Sequence, residues 1–321
     1  AAFQFLYVLL QGIHFFHPLH FYDQLEMFFT SNPSILSGSE KLYLNNTLHE
    51  IPRLRGTLCE PLFFGNFLLM AWPFLLVWHR PQWMRLLLGS LFGIILVLTW
   101  SRGAWLGFAA QFSLLVFFHT MKKVKTSPMG PKGNGSLINK RWPLFLGLLV
   151  FLLPLGDLLS GGFVRDRLLA TFNNQDWSNL TRIFSMKAAW LAFLKNPLVG
   201  IGWGQFAFHF PLLVDPMGLH SQFTWPVVNN FPLQILCETG LVGLTVFIWS
   251  GAVLLRKTLQ RLASDGTMVL PAALGVLGVW IQLLSFSQYN LAHIWLVLGL
   301  LIAAIVDRSD IPSNDKNKVG Q

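Results

Sequence analysis

The sequence predicts an all-α, polytopic helical membrane protein, and three observations carry that prediction. Only 12% of the 321 residues are charged and 53% are hydrophobic, with a mean hydropathy of +0.53. Ordinary soluble domains carry about 25% charged residues. The apolar residues are also gathered into blocks long enough to cross a hydrocarbon core about 30 Å thick. Lys and Arg, finally, concentrate in alternate loops, the pattern left by cytoplasmic loops that retain positive charge.

In chain order the apolar blocks are a partial span over 1–16, then 61–78, 86–100, 103–119, 143–160, 231–254, 267–285 and 291–306. They predict about seven or eight spans in a single membrane-embedded domain over 1–321. The chain opens on Ala1 inside the run "AAFQFLYVLLQGI", without the basic head or small-residue cleavage site of a signal peptide, so further spans are expected upstream. Loops 79–85, 120–142, 255–266 and 307–321 hold 14 of the 23 Lys and Arg but only 4 of the 14 acids, which assigns them to the cytoplasm. The net charge of +9 is therefore a topological signal. It points to a lipid bilayer, and no nucleic-acid partner is expected. "KKVKTSPMGPKGNGSLINKR" (122–141) reads as a flexible, basic cytoplasmic loop, and 307–321 as a polar cytoplasmic tail. Cys59 and Cys237 have neither a disulfide-framework spacing nor a metal-ligand spacing.

Two long polar segments, 21–60 and 161–230, fall on the extracytoplasmic (periplasmic) side. Between Leu86 and Phe118 the only charged residue is Arg102, in "VLTWSRGAWLGF". An arginine at the bilayer centre costs about 2.5–3.5 kcal/mol. The topology instead puts Arg102 at the outer tip of a tight helical hairpin, where it either snorkels to headgroups or serves a purpose. Within 161–230, residues 180–194 read as an amphipathic helix with Ile183, Met186, Trp190 and Phe193 near one face and Arg182 at its start. Asn196-Pro197 ends it, and "GIGWGQF" (200–206) follows as a glycine-rich turn. No strand and no Lys-Ser/Thr accompanies that turn, so it is not a phosphate loop. A loop of about 70 residues carrying its own helix is functional more often than it is a connector.

The outward cations are Arg53, Arg55, Arg102, Arg165, Arg167, Arg182, Lys187 and Lys195. Arginine's planar fork matches phosphate oxygens, so a cleft lined by several of them at the membrane surface suits a lipid-linked phosphate or diphosphate. No His-Glu-x-x-His, Gly-x-Ser-x-Gly or Walker motif is present, no metal site is predicted, and no cofactor is expected. His14, His17 and His20 have no zinc spacing.

Four stretches then carry a family likeness: "RLRGTLCEPLFFGNFL" (53–68), "SRGAWLGF" (101–108), "TRIFSMKAAWLAFLKNPLVGIGWGQF" (181–206) and "NNFPLQILCETGLVGL" (229–244). In them the chain resembles the O-antigen ligase/polymerase superfamily of cell-envelope glycan enzymes. The resemblance implies a GT-C-type glycosyltransferase of the bacterial inner membrane that works without a metal. It would move a glycan from an undecaprenyl-diphosphate-linked donor, on the outer face, to lipid A-core or to another acceptor glycan. Arg102 and Leu106 match the family's Arg-x-x-x-Leu element, and Arg182 matches the arginine opening the periplasmic helix. Both would hold the diphosphate as it leaves. Arg55 matches a third arginine, and Asn230, Glu238 and Lys187 are further candidate substrate contacts.

One position departs from the ligase pattern. Asn230, nine residues, Gly240 and Gly243 keep the family's frame, but Asn229 stands where ligases carry histidine, and an asparagine cannot serve as a general base. Asn229 is retained as a candidate catalytic position, with His220 or His209 as an alternative base. Otherwise the reaction runs on positioning and a good leaving group, or the protein is a polymerase. A transport-associated role, as ascribed to bicarbonate-uptake-like relatives, is the rival from another class. It would call for ionisable residues inside the spans, and here these are almost lacking.

Overall fold

A computed structural model describes residues 2–29, 43–45, 50–58, 60–125, 157–158, 161–169, 177–217, 226–263, 268–287 and 289–306. Outside them lie all but two residues of the expected span 143–160, most of loop 120–142, the tail 307–321, Cys59 and His220.

The described residues are overwhelmingly helical. Helices α1 (Ala2–Phe16) and α2 (His20–Phe29) precede a small antiparallel hairpin, β1 (Tyr43–Asn45) and β2 (Glu50–Pro52), in which Leu44 pairs with Ile51. The hairpin lies within the long polar segment 21–60. Helix α3 (Pro61–Ala71) starts on a proline, whose missing N–H costs nothing in a first turn. It runs into a 3₁₀ segment over Trp72–Val77. Next come α4 (Gln82–Leu98), α5 (Arg102–Lys125), α6 (Phe163–Leu169), α7 (Trp177–Lys195), α8 (Phe206–Val214), α9 (Phe231–Ala263), α10 (Val269–Leu283) and α11 (Ala292–Ile305). Among the described residues, helices thus occupy the apolar blocks, and α5 continues into the segment read as a loop from residue 120.

Among the described residues one helical stretch, Phe231–Leu262, is long and apolar enough to cross a membrane; the other apolar helical stretches run over 10–17 residues. The long stretch is two helices in series, because Gly240 breaks it with φ 67° and ψ −166°.

Close approach of small residues holds the centre together. Helix α5 lies on α10 so tightly that a methyl group at Gly107 would sit 2.8 Å from the Gly278 carbonyl oxygen. Contact of this kind lets helices associate where the surroundings are as apolar as their side chains. Buried amides add directional bonds. Gln111 of α5 donates to the carbonyls of Leu69 (2.7 Å) and Leu274 (2.8 Å) and accepts from the Trp72 indole (2.6 Å), joining three helices and the 3₁₀ segment. Gln282 of α10 donates to the Leu62 carbonyl at 2.8 Å.

Helix α7 packs differently from its apolar pattern. The face it buries carries Ser185, Ala188, Ala189 and Ala192, set against Phe206, Phe210, Val228 and Cys237. Ile183 and Trp190, expected on the packing face, are exposed. The small residues allow α8 and α9 to come close, and the large ones point away.

The bundle has two distinct ends. At one, the Leu54 N–H donates to the Leu98 carbonyl (3.0 Å) and Asn230 reaches the Leu284 carbonyl (3.0 Å). At the other, Arg261 donates to the Ile305 carbonyl (2.8 Å), above a cluster of Val269, Ala272, Leu301 and Ile305.

Candidate functional site

The first end gathers the arginines. Helix α4 finishes at Thr99, and the chain reverses through Trp100, whose φ of 53° is unusual for a bulky residue. That strain is held by packing: Trp100 is buried, edge-on to Phe163 of α6 (4.6 Å) and against Trp105 (6.0 Å). Ser101 then caps α5, its hydroxyl facing the Ala104 N–H at 3.4 Å and its carbonyl accepting from Trp105 at 3.0 Å. Arg102 is consequently the first residue of α5. Its Nη2 donates to Asn179 Oδ1 of α7 at 3.1 Å.

Arg182 lies one turn further along α7 from Asn179. Arg53 comes in from the segment after β2 and donates Nε to the Thr99 carbonyl at 3.1 Å. Burial pulls its pKa down to about 10, with Glu60 opposing and the positive charges of Arg182 and Arg102 adding to the fall. Arg102 and Arg182 are thus both close enough to disfavour the charge on Arg53. Three guanidiniums brought together from the start of α5, the second turn of α7 and the segment after β2 form a concentrated cationic site, suited to a polyanion with several oxygens.

Of the other sequence-predicted residues, Asn229 and Asn230 lie at the same end of the bundle. Asn229 adopts φ 59°, a conformation asparagine tolerates better than most residues. Its amide donates to Ser185 Oγ (3.3 Å) and to the Val227 carbonyl (3.4 Å). The Ser185 hydroxyl in turn lies 2.9 Å from the Arg182 carbonyl and 2.8 Å from that of Val228. Asn229 therefore sits beside α7 one turn from Arg182. Asn230 caps α9 by accepting the Leu233 N–H at 2.9 Å. Its amide reaches Leu284, so this pair of asparagines ties α7, α9 and α10 together.

Three candidates stand apart from the cluster. Arg55 is fully buried in an ion pair with Glu26 of α2, also donates to the Leu58 carbonyl (3.1 Å), and takes no part in the guanidinium group around Arg102. Glu238 is buried too. Its carboxylate accepts the Phe206 N–H at the start of α8 and the Gln234 amide, both at 3.4 Å. Lys187 is exposed on α7, about 140° around the helix from Arg182. His209 lies on α8, and His220 is outside the described residues. Sequence reasoning passed over Arg53 and Asn179 as site residues. The only signal for Arg53 was the doublet "RLR", and nothing in the sequence distinguished its two arginines.

The glycine-rich turn docks on the break in α9. Ile201 and Gly202 N–H groups donate to the Cys237 (3.0 Å) and Glu238 (2.9 Å) carbonyls, and the Leu241 N–H donates back to Pro197 (2.9 Å). Gly200 and Gly240 both have positive φ, and a methyl group on either would collide with the opposite backbone. Among the described residues no group of three or more His, Cys, Asp or Glu is placed to hold a metal ion.

An all-helical bundle with a cationic end, a tight Arg-bearing hairpin and a helical outer segment docked on a broken helix defines the class to which comparison now gives a name. The profile of the O-antigen ligase family matches residues 86–248, from α4 into the second half of α9, and the chain belongs to that family. Its members are membrane proteins that act on glycans. Comparison with curated proteins and with solved structures gives no match.

Proposed function

We propose that this chain is a multi-pass membrane glycosyltransferase that transfers a glycan from undecaprenyl diphosphate to an acceptor sugar on the extracytoplasmic side of the bacterial inner membrane. The observation that carries the reading is the convergence of Arg53, Arg102 and Arg182 at one end of the bundle. Membrane embedding is supported by the outward faces of α9 and α11, where Val246, Ile248, Trp249, Val253, Leu296 and Leu300 are exposed. Such a contiguous apolar surface suits lipid.

In this reading the acceptor hydroxyl attacks the anomeric carbon as the bond from that carbon to the diphosphate oxygen breaks. Negative charge grows on the leaving diphosphate, and the arginines stabilise it. The hydroxyl proton passes to a base other than Asn229, or to the departing diphosphate. Asparagine at 229 favours the second reading, a polymerase that joins lipid-linked repeat units, because the base position of ligases is vacated. The test uses full-length protein in nanodiscs with an undecaprenyl-diphosphate glycan, plus either lipid A-core or more donor, beside an Arg102→Ala control. One shifted product band on lipid A-core means ligase and a ladder means polymerase. No product with either acceptor overturns the enzyme reading.

A further inference from the structure

Trp203 sits in the glycine-rich turn between α7 and α8 and is 53% exposed, yet it is held firmly. The turn's backbone is bonded to α9 as described above, and Gly200 also donates to the Asn196 carbonyl at 2.9 Å. The Trp203 ring lies 5.0 Å from that of Tyr289, centroid to centroid, with the two planes tilted by 59°. Tyr289 is in turn 5.4 Å from Phe231, two residues beyond Asn229. Trp295, 55% exposed, donates its indole N–H to the Tyr289 carbonyl at 2.7 Å. Two half-exposed indoles are therefore fixed on one tyrosine, at the end of the bundle that carries the arginines.

Tryptophan that merely anchors a protein in a membrane interface keeps its ring in the apolar layer and its N–H toward headgroups and water. Here the Trp295 N–H turns inward onto the Tyr289 carbonyl, and the Trp203 indole packs on the Tyr289 ring while about half of it stays exposed. An aromatic face is electron-rich, and the C–H groups on one face of a pyranose carry the complementary positive edge. A ring already immobilised loses little entropy when a sugar settles on it.

We propose that Trp203, backed by Tyr289 and with Trp295 held on the same tyrosine, is a stacking platform for a pyranose ring of the glycan handled at the neighbouring arginine site. The assignment of that glycan rests on the glycosyltransferase reading; the ring could belong to the acceptor or to the donor chain, which present the same chemistry.

The probe is the sugar chain released by mild acid from the source cells' own surface glycan, free of lipid and diphosphate. Its binding to the full chain in nanodiscs is followed by saturation-transfer NMR for wild type, Trp203→Phe and Trp203→Leu. A pyrophosphate-induced thermal shift equal to that of wild type certifies that each variant is folded. Trp203→Phe should bind within about threefold of wild type, and Trp203→Leu, apolar but without a π face, about tenfold more weakly. Leucine binding as well as tryptophan, or no saturation transfer to the probe with wild type, overturns the platform. In the transfer assay, a KM rise confined to acceptor places the ring there and one confined to donor places it on the donor; both support the proposal. Failure of the glycosyltransferase reading looks different: wild type transfers nothing, while the tryptophan-dependent binding persists.

Discussion

At the scale of single residues, the decisive feature is the crowding of like charge. Burial makes the Arg53 cation unfavourable, and the positive charges of Arg182 and Arg102 add to that cost. A bound polyanion relieves that repulsion, so ligand binding and stability are linked. Inorganic pyrophosphate should therefore raise the unfolding temperature of the purified chain. Arg182→Gln or Arg53→Gln should lose most of that rise, measured by differential scanning fluorimetry in nanodiscs. Geometry matters as much as charge. Arg102 donates from its fork to Asn179 while facing the site, an arrangement a lysine ammonium does not reproduce. Arg102→Lys should insert normally and keep the fold but lower kcat by about 10²-fold, the scale at which one preorganised charged donor acts. Near-wild-type turnover would reduce Arg102 to a headgroup anchor.

At the scale of elements, the outer helical segment is fastened to the bundle through backbone rather than side chains. The turn after α7 and the break in α9 exchange N–H···O bonds across two glycines with positive φ. Gly240→Ala should lower the yield of folded protein sharply, because the new methyl group meets the Leu198 carbonyl and the backbone angle is strained as well. Gly251→Ala, on an open face of the same helix, should be silent. Fluorescence-detected size-exclusion chromatography of the two variants provides the comparison. The break also sets Glu238 under the first turn of α8, where a carboxylate is favoured by the unpaired N–H groups there.

At the scale of the whole molecule, the two ends differ in what they gather. The segments 53–58, 99–102, 179–185 and 226–230 meet at the arginine end; Arg80, Arg85, Arg256, Lys257 and Arg261 belong to the connections toward the opposite end. With the basic loops in the cytoplasm, cysteine introduced at the exposed Lys187 should react with a membrane-impermeant maleimide in intact spheroplasts, in a chain with Cys59 and Cys237 replaced by serine and alanine. Cysteine introduced at the exposed Lys257 should react only after permeabilisation. The reverse pattern would put the arginine site in the cytoplasm and remove the proposed donor from reach.

Much of this was legible in the sequence, because hydrophobic periodicity and loop composition are local properties. Helices fall on the apolar blocks at 61–78, 86–100, 231–254, 267–285 and 291–306, and Asn196-Pro197 ends α7 as a residue pair of that kind should. The family likeness was legible for the same reason, since its motifs are short and contiguous. What depended on distant partners was not. Arg55 follows Arg53 by two residues, yet Glu26 on α2 captures the former while the Thr99 carbonyl at the hairpin tip orients the latter. The apolar stripe of α7 pointed to Ile183 and Trp190, but the buried face is the one whose small side chains let two neighbouring helices approach. The sequence by itself determined the helical class, the positions of the described helices in the apolar blocks and the placing of Arg102 and Arg182 on α5 and α7. Only the tertiary structure decided which third arginine joins them and that Trp203 is pinned to Tyr289. Those outcomes turn on contacts between residues tens of positions apart, and no local pattern records them.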